Sequence, residues 1–126
     1  MSVILDASAV LAVLLRETGA DFVIDVLRGA ELSAVNLSES MSRTIDNGHA
    51  AQTVETIVRS YEIAIVPFSA SHARRAAELR PASRHLGLSL GDRACLALAS
   101  ERGWPILTGD RRLASFACDL DIRMIR

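Results

Sequence analysis

Four acidic residues stand where folding can gather them into a reaction centre: Asp6, Glu39, Asp92 and Asp110. Asp6 closes the apolar run Val3-Ile4-Leu5, and Asp110 follows Ile106-Leu107 through Thr108-Gly109. Glu39 comes three residues after Asn36 and Asp92 three after Ser89, each in the first turn of an expected helix. Singly, all four have an ordinary explanation. Asn36-x-x-Glu39 and Ser89-x-x-Asp92 have the form of capping boxes, and Asp6 and Asp110 can be N-caps. Acids in a first turn also complement the helix dipole. Jointly they say more, because in a parallel sheet the strands' carboxyl ends and the following helix starts share one edge. Two carboxylates about 5 Å apart repel by roughly 3 kcal/mol at an effective dielectric of about 20. Four together call for a cation, and an all-oxygen donor set suits Mg²⁺ or Mn²⁺. Centres of this kind cut phosphodiesters, the carboxylates serving as ligands and one of them accepting a proton from the attacking water.

The elements that must position these acids are legible as an alternation. Residues 2–5 read as a buried strand, 8–15 and 20–27 as helices, and 32–35 as a second strand. Asn36 opens a helix running towards Asn47-Gly48, residues 50–61 are helical, and 63–66 form a strand that Pro67 stops. Residues 69–79 are helical, and Pro81 introduces a connecting segment through Gly87. Residues 90–102 form a helix whose middle, Ala94 to Ala99, is apolar all round and therefore buried on most faces. A strand over 105–107, a short helix after Asp110 and a last strand over 122–125 complete the chain. Strands alternating with helices imply an α/β fold: a three-layer α/β/α sandwich around a central, mostly parallel sheet.

Composition narrows the chemistry. The 126 residues suit a single domain spanning 1–126, and 50% hydrophobic residues suffice for a core without staples. All 14 basic residues are arginine, which rules out Schiff-base, pyridoxal-phosphate and P-loop lysine mechanisms. The same absence disfavours strand-end Asp phosphatases and receiver domains, families that use a lysine beside that Asp. Aromatics at 4% leave little for base-stacking platforms. Cys95 and Cys118 form no CxxC, a reduced, cytoplasmic pattern, and the longest apolar run, residues 9–15, is too short for a membrane span. Charge is uneven: residues 1–73 carry four arginines against nine acids, and residues 74–126 ten against six. The arginine-rich half is either a solvated surface or a phosphate-contacting face.

The segments Ile4-Leu5-Asp6-Ala7-Ser8-Ala9, Ala34-Val35-Asn36-Leu37-Ser38-Glu39, Leu88-Ser89-Leu90-Gly91-Asp92-Arg93-Ala94 and Leu107-Thr108-Gly109-Asp110 resemble, in order and spacing, the four signature segments of PIN-domain ribonucleases. More narrowly, the chain is similar to the VapC toxins of bacterial VapBC toxin–antitoxin modules. The resemblance implies a Mg²⁺- or Mn²⁺-dependent endoribonuclease toxin acting on structured RNA. Asp6, Glu39, Asp92 and Asp110 would be catalytic and metal-binding, with Ser8 and Thr108 as supporting hydroxyls. It also implies a homodimer and a VapB-like antitoxin that wraps the toxin and can place a basic side chain in the acidic pocket.

The chain departs from the family where Arg111 and Arg112 replace a further acid. They and Arg84 are candidate RNA contacts, although a solvated helix start explains Arg111 and Arg112 as well. The three histidines are dispersed and lack ligand spacing. A second function class remains open: a non-catalytic RNA- or protein-binding module in which the acids are only caps.

Overall fold

Five short strands assemble into one all-parallel sheet in the computed structural model, which describes residues 2–126. β1 (Ile4–Leu5) lies at the centre, flanked by β2 (Glu31–Ser33) and β4 (Ile106–Thr108), with β3 (Ala64–Val66) and β5 (Ile122–Met124) at the edges. The register sets Leu5 opposite both Leu32 and Leu107.

Strand alternation sends these side chains into two separate cores. Leu5, Leu32 and Leu107 join one, covered by α1 (Ala7–Leu14), α2 (Ala20–Ile24), α3 (Ala34–Asp46) and α4 (Gln52–Ser60). Ile4 and Ile106 join the other, under α7 (Leu90–Arg102) and α8 (Arg111–Ala114), with α5 (Ala70–Glu78) packed against α7. Period-2 side chains feeding both faces is what a sheet between two helical layers requires, and the expected sandwich is what forms. Among the described residues, no helix is long and apolar enough to cross a membrane.

Several boundaries differ from the sequence reading, for local reasons. The second strand ends at Ser33, whose hydroxyl accepts the Val35 N–H and starts α3 two residues before Asn36. Asn36 is therefore inside the helix and does not cap it. Residues 80–87 are not an irregular connection: α6 (Arg80–Ser83) carries Pro81 in its first turn, and a 3-10 turn, Arg84–Leu86, follows. The helix expected over 20–27 stops at Ile24. α7 is buried as expected, from Gly91 through Ala99.

Candidate metal centre

Asp6 leaves β1 directly into α1 and is 4% exposed. As N-cap its Oδ1 accepts the Ala9 N–H at 3.0 Å, and the Ser8 hydroxyl donates to the same oxygen at 2.6 Å. The Thr108 hydroxyl donates to Oδ2. Ser8 Oγ also accepts the Gly109 N–H at 2.7 Å, so one hydroxyl ties the end of β1 to the end of β4. Burial pushes the Asp6 carboxyl up to about 6; these three hydrogen bonds oppose the rise without cancelling it, and the nearby Asp92 charge adds to it.

Asp92 opens α7 in a complete capping box with Ser89. The Ser89 N–H and hydroxyl donate to Oδ2 at 2.8 and 3.0 Å, and Ser89 Oγ accepts the Asp92 N–H at 3.2 Å. Both bonds to the carboxylate land on one oxygen, leaving Oδ1 available as a ligand. Capping and membership of the acidic pocket are therefore not alternatives for Asp92, nor for Asp6.

Glu39 reaches the same place from α3. A Cβ on Gly91 would lie 2.7 Å from Glu39 Oε1 and 3.1 Å from Oε2, so this carboxylate rests on the backbone immediately before Asp92. Asn36, fully buried, joins the two helices: its Nδ2 donates to the Gly91 carbonyl at 3.0 Å and to Glu39 Oε1 at 3.3 Å. Its Oδ1 is buried without a partner. The sequence reads Asn36 as a cap, whereas its side chain bridges two helices; the i, i+3 spacing to Glu39 is the signal for this, since it puts both side chains on one helix face.

The convergence registers on a neutral neighbour. Burial raises the Cys95 thiol, and the charges of Asp6, Asp92 and Glu39 raise it further. Asp110 is absent from that set. It caps α8, its Oδ1 accepting the Arg112 N–H at 2.8 Å, while Arg112 Nη2 pairs with Oδ2 at 3.0 Å. Partial burial pushes this carboxyl up, but the Arg112 bonds together outweigh it and hold Asp110 below the usual carboxylate range. Arg84 and Arg111 are exposed, on the 3-10 turn and α8. Beside Ser8 opens a cleft of about 350 Å³ whose walls carry Arg43, Arg126, Glu17 and Asp46.

Three carboxylates thus share a neighbourhood, but each is held by protein donors. Among the described residues, no three His, Cys, Asp or Glu side chains form a ready cage for a metal. Mg²⁺ does not require one, since it keeps several waters and commonly uses one or two carboxylates. The residues fit such an ion on three grounds: oxygen-only donors, a buried carboxylate with no cationic partner at Asp6, and the orphaned Asn36 oxygen. Gly91 is the sterically exacting element. Gly91→Ala should displace the flexible Glu39 carboxylate and not the helix, with little change in melting temperature because alanine favours helix by about 1 kcal/mol. A fall in any Mn²⁺ affinity at unchanged stability is the expected result, checked by calorimetric titration beside thermal melts.

Comparison with known proteins agrees with this architecture. The family model described as PIN domain matches residues 3–117. Among solved structures, a toxin–antitoxin complex from Klebsiella pneumoniae superposes with a TM-score of 0.75 at 18% identity, over 99% of this chain and 98% of that one. VapC20 from Mycobacterium tuberculosis, a sarcin–ricin loop cleaving toxin, gives 0.75 at 21% identity, over 92% and 97%. DNA-bound VapBC from Salmonella typhimurium gives 0.77 at 11% identity, over 100% and 99%. No curated protein matches the chain.

Proposed function

The chain belongs to the PIN domain family, and from that premise we propose that it is a Mg²⁺- or Mn²⁺-dependent endoribonuclease of the VapC toxin type. The observation that carries this reading is the Asp6 carboxylate, buried beside Asp92 with its charge uncompensated. A protein keeps such a group where a cation or a reaction uses it. Asp6 and Asp92 would be the principal ligands, with Glu39 and Asp110 completing the set directly or through waters. When bound, the ion would lower the pKa of a water and stabilise charge on the phosphate.

The residues' own share is orientation and proton handling. Ser8 and Thr108 fix both oxygens of Asp6, so that carboxylate keeps one rotamer. The Glu39 side chain, 25% exposed and 3.4 Å from Arg43 Nη2 through Oε2, can meet a solvent water and accept its proton. The water oxygen bonds to phosphorus, the bond to the 3′ oxygen breaks and that oxygen takes a proton from solvent, and the products are 5′-phosphate and 3′-hydroxyl ends. Structured RNA is the proposed substrate, following the sarcin–ricin loop named for VapC20.

Purified protein given Mn²⁺ and cellular RNA should generate new 5′-phosphate ends at few positions, and Asp92→Asn protein none. Equal cleavage by both proteins would defeat the assignment. The reading of the acids as caps alone draws support from the backbone amides that Asp6 and Asp110 accept and from the Ser89–Asp92 box. It expects no thermal stabilisation by Mn²⁺, whereas a bound ion at 100 times its dissociation constant adds about 2.7 kcal/mol.

As partner we propose a VapB-like antitoxin, since several structural neighbours are toxin–antitoxin complexes. A groove of about 740 Å³ between α1, α2 and α4, with Ile24 on its wall and Phe22 and Val26 exposed on or just after α2, supplies an apolar surface for it. A homodimer belongs to the same reading.

A further inference from the structure

We infer that Arg112 is a displaceable internal counter-ion: it holds Asp110 away from a cation in the free protein and gives it up when an RNA phosphate claims the guanidinium. This rests on the nuclease reading and adds to it a substrate-linked step. The geometry is more than a helix cap needs. The cap itself is satisfied by the Arg112 backbone N–H on Oδ1 at 2.8 Å. The side chain then engages both carboxylate oxygens as well, Nη2 on Oδ2 at 3.0 Å and Nε on Oδ1 at 3.4 Å.

The remaining nitrogen crosses to another element. Nη1 donates at 3.3 Å to the carbonyl of Gly87, the residue whose left-handed backbone (φ 66°) turns the chain from the 3-10 turn towards α7. The guanidinium therefore bridges the segment after β4 and the approach to α7, the two elements that carry Asp110 and Asp92. The field of Asp92 reaches it, after that of Asp110, and both favour its charge. The guanidinium thus stands on the Asp110 side, and Asp6 has no cationic partner.

The pair is built to exchange. The Arg112 side chain is 55% exposed, and an exposed ion pair is weak. A phosphodiester offers the same fork of two oxygens as a carboxylate, so the guanidinium can trade one for the other with little loss. Trading leaves Asp110 with an oxygen free to take a cation, on the side from which the Asp92 field reaches the guanidinium. Binding of RNA and of cation is then linked, and by reciprocity each tightens the other.

Three measurements on the intact chain test this. First, Mn²⁺ alone is titrated into wild type and Arg112→Ala; the variant should bind about fivefold more tightly, the size expected for loss of one exposed competing pair. Second, the same substitution in an Asp110→Asn background should change Mn²⁺ affinity hardly at all, because direct competition has no carboxylate left to act on. A general charge effect would persist there and would overturn the inference. Third, binding of a fluorescent stem-loop RNA in EDTA should show a salt dependence shallower by about one in log–log slope for Arg112→Ala, as for one lost phosphate contact. An unchanged slope, or an Mn²⁺ affinity equal to or below wild type, also overturns it. Asp6→Asn separates the layers. If wild type binds Mn²⁺ and Asp6→Asn does not, the nuclease reading stands whatever Arg112 does. If no variant binds Mn²⁺, both fall together.

Discussion

Asp6→Asn protein should lose RNA cleavage by at least about 10²–10³-fold, the range for removing one preorganised group that stabilises developing charge. The substitution keeps the shape of the side chain and can keep the hydrogen bonds from Ser8 and Ala9, so the position of α1 on β1 is preserved. What disappears is the charge in the most buried corner of the pocket, 4% exposed and beside Asp92. Rates measured with saturating Mn²⁺ on a mapped RNA site, with circular dichroism to show an intact fold, decide the matter. Wild-type turnover in this variant would mean that Asp6 is a cap and nothing more.

The same substitution should make the metal-free protein more stable at pH 8. An ordinary Asp carboxyl titrates near 3.8, and burial lifts this one to about 6 in the folded protein. Folding therefore favours the protonated form. The contribution of Asp6 to stability is full below pH 3.8 and is lost as the pH rises through 6. Above that, the ionised group costs up to about 3 kcal/mol relative to a neutral isostere, at about 1.36 kcal/mol for each tenfold change in proton affinity. Asparagine removes the cost. Urea unfolding in EDTA should show Asp6→Asn gaining about 2–3 kcal/mol at pH 8 and almost nothing at pH 4. Added Mn²⁺ should narrow the gap by stabilising wild type alone. A variant less stable than wild type at pH 8 would show that the bonds from Ser8, Thr108 and Ala9 to the charged carboxylate together outweigh its desolvation.

These two expected effects differ in sign, and observed together they would describe a group retained for chemistry at the expense of the fold. Asp110 behaves in the opposite way. Its charge is already matched by Arg112, so Asp110→Asn removes an ion pair while the amide oxygen can still accept the Arg112 N–H, and no gain in stability is expected.

Much of this was legible in the chain. The strand-end positions of Asp6 and Asp110 follow from short apolar runs terminated by acids, a signal that depends only on neighbouring residues. The Ser89–Asp92 spacing likewise announced a helix start, and the box forms as written. Ser8 and Thr108 enter only through the resemblance to the PIN family, and the structure sets both hydroxyls on Asp6. Asn36 was misplaced because Ser33 competes for the cap, and two candidate caps three residues apart cannot be ranked from spacing. Arg93 sits in a helix that reads as apolar, yet its guanidinium is buried and donates to the Ala76 carbonyl at 3.0 Å. His72, dispersed in sequence, is buried with its Nε2 2.6 Å from Glu101 Oε2 because α5 packs along α7.

By itself the sequence determined the alternation of strands and helices, α6 and the 3-10 turn excepted, and the all-oxygen character of the acids, because these depend on periodicity and on residue type. Only the tertiary structure decided how each acid is held: Asp6 buried without a counter-charge, Glu39 resting on Gly91, Asp110 closed by Arg112. Desolvation and ion pairing act through space over a few ångströms, and the groups responsible stand as far as 102 positions apart in the chain. Spacing along a backbone carries no record of such distances until the sheet has set them.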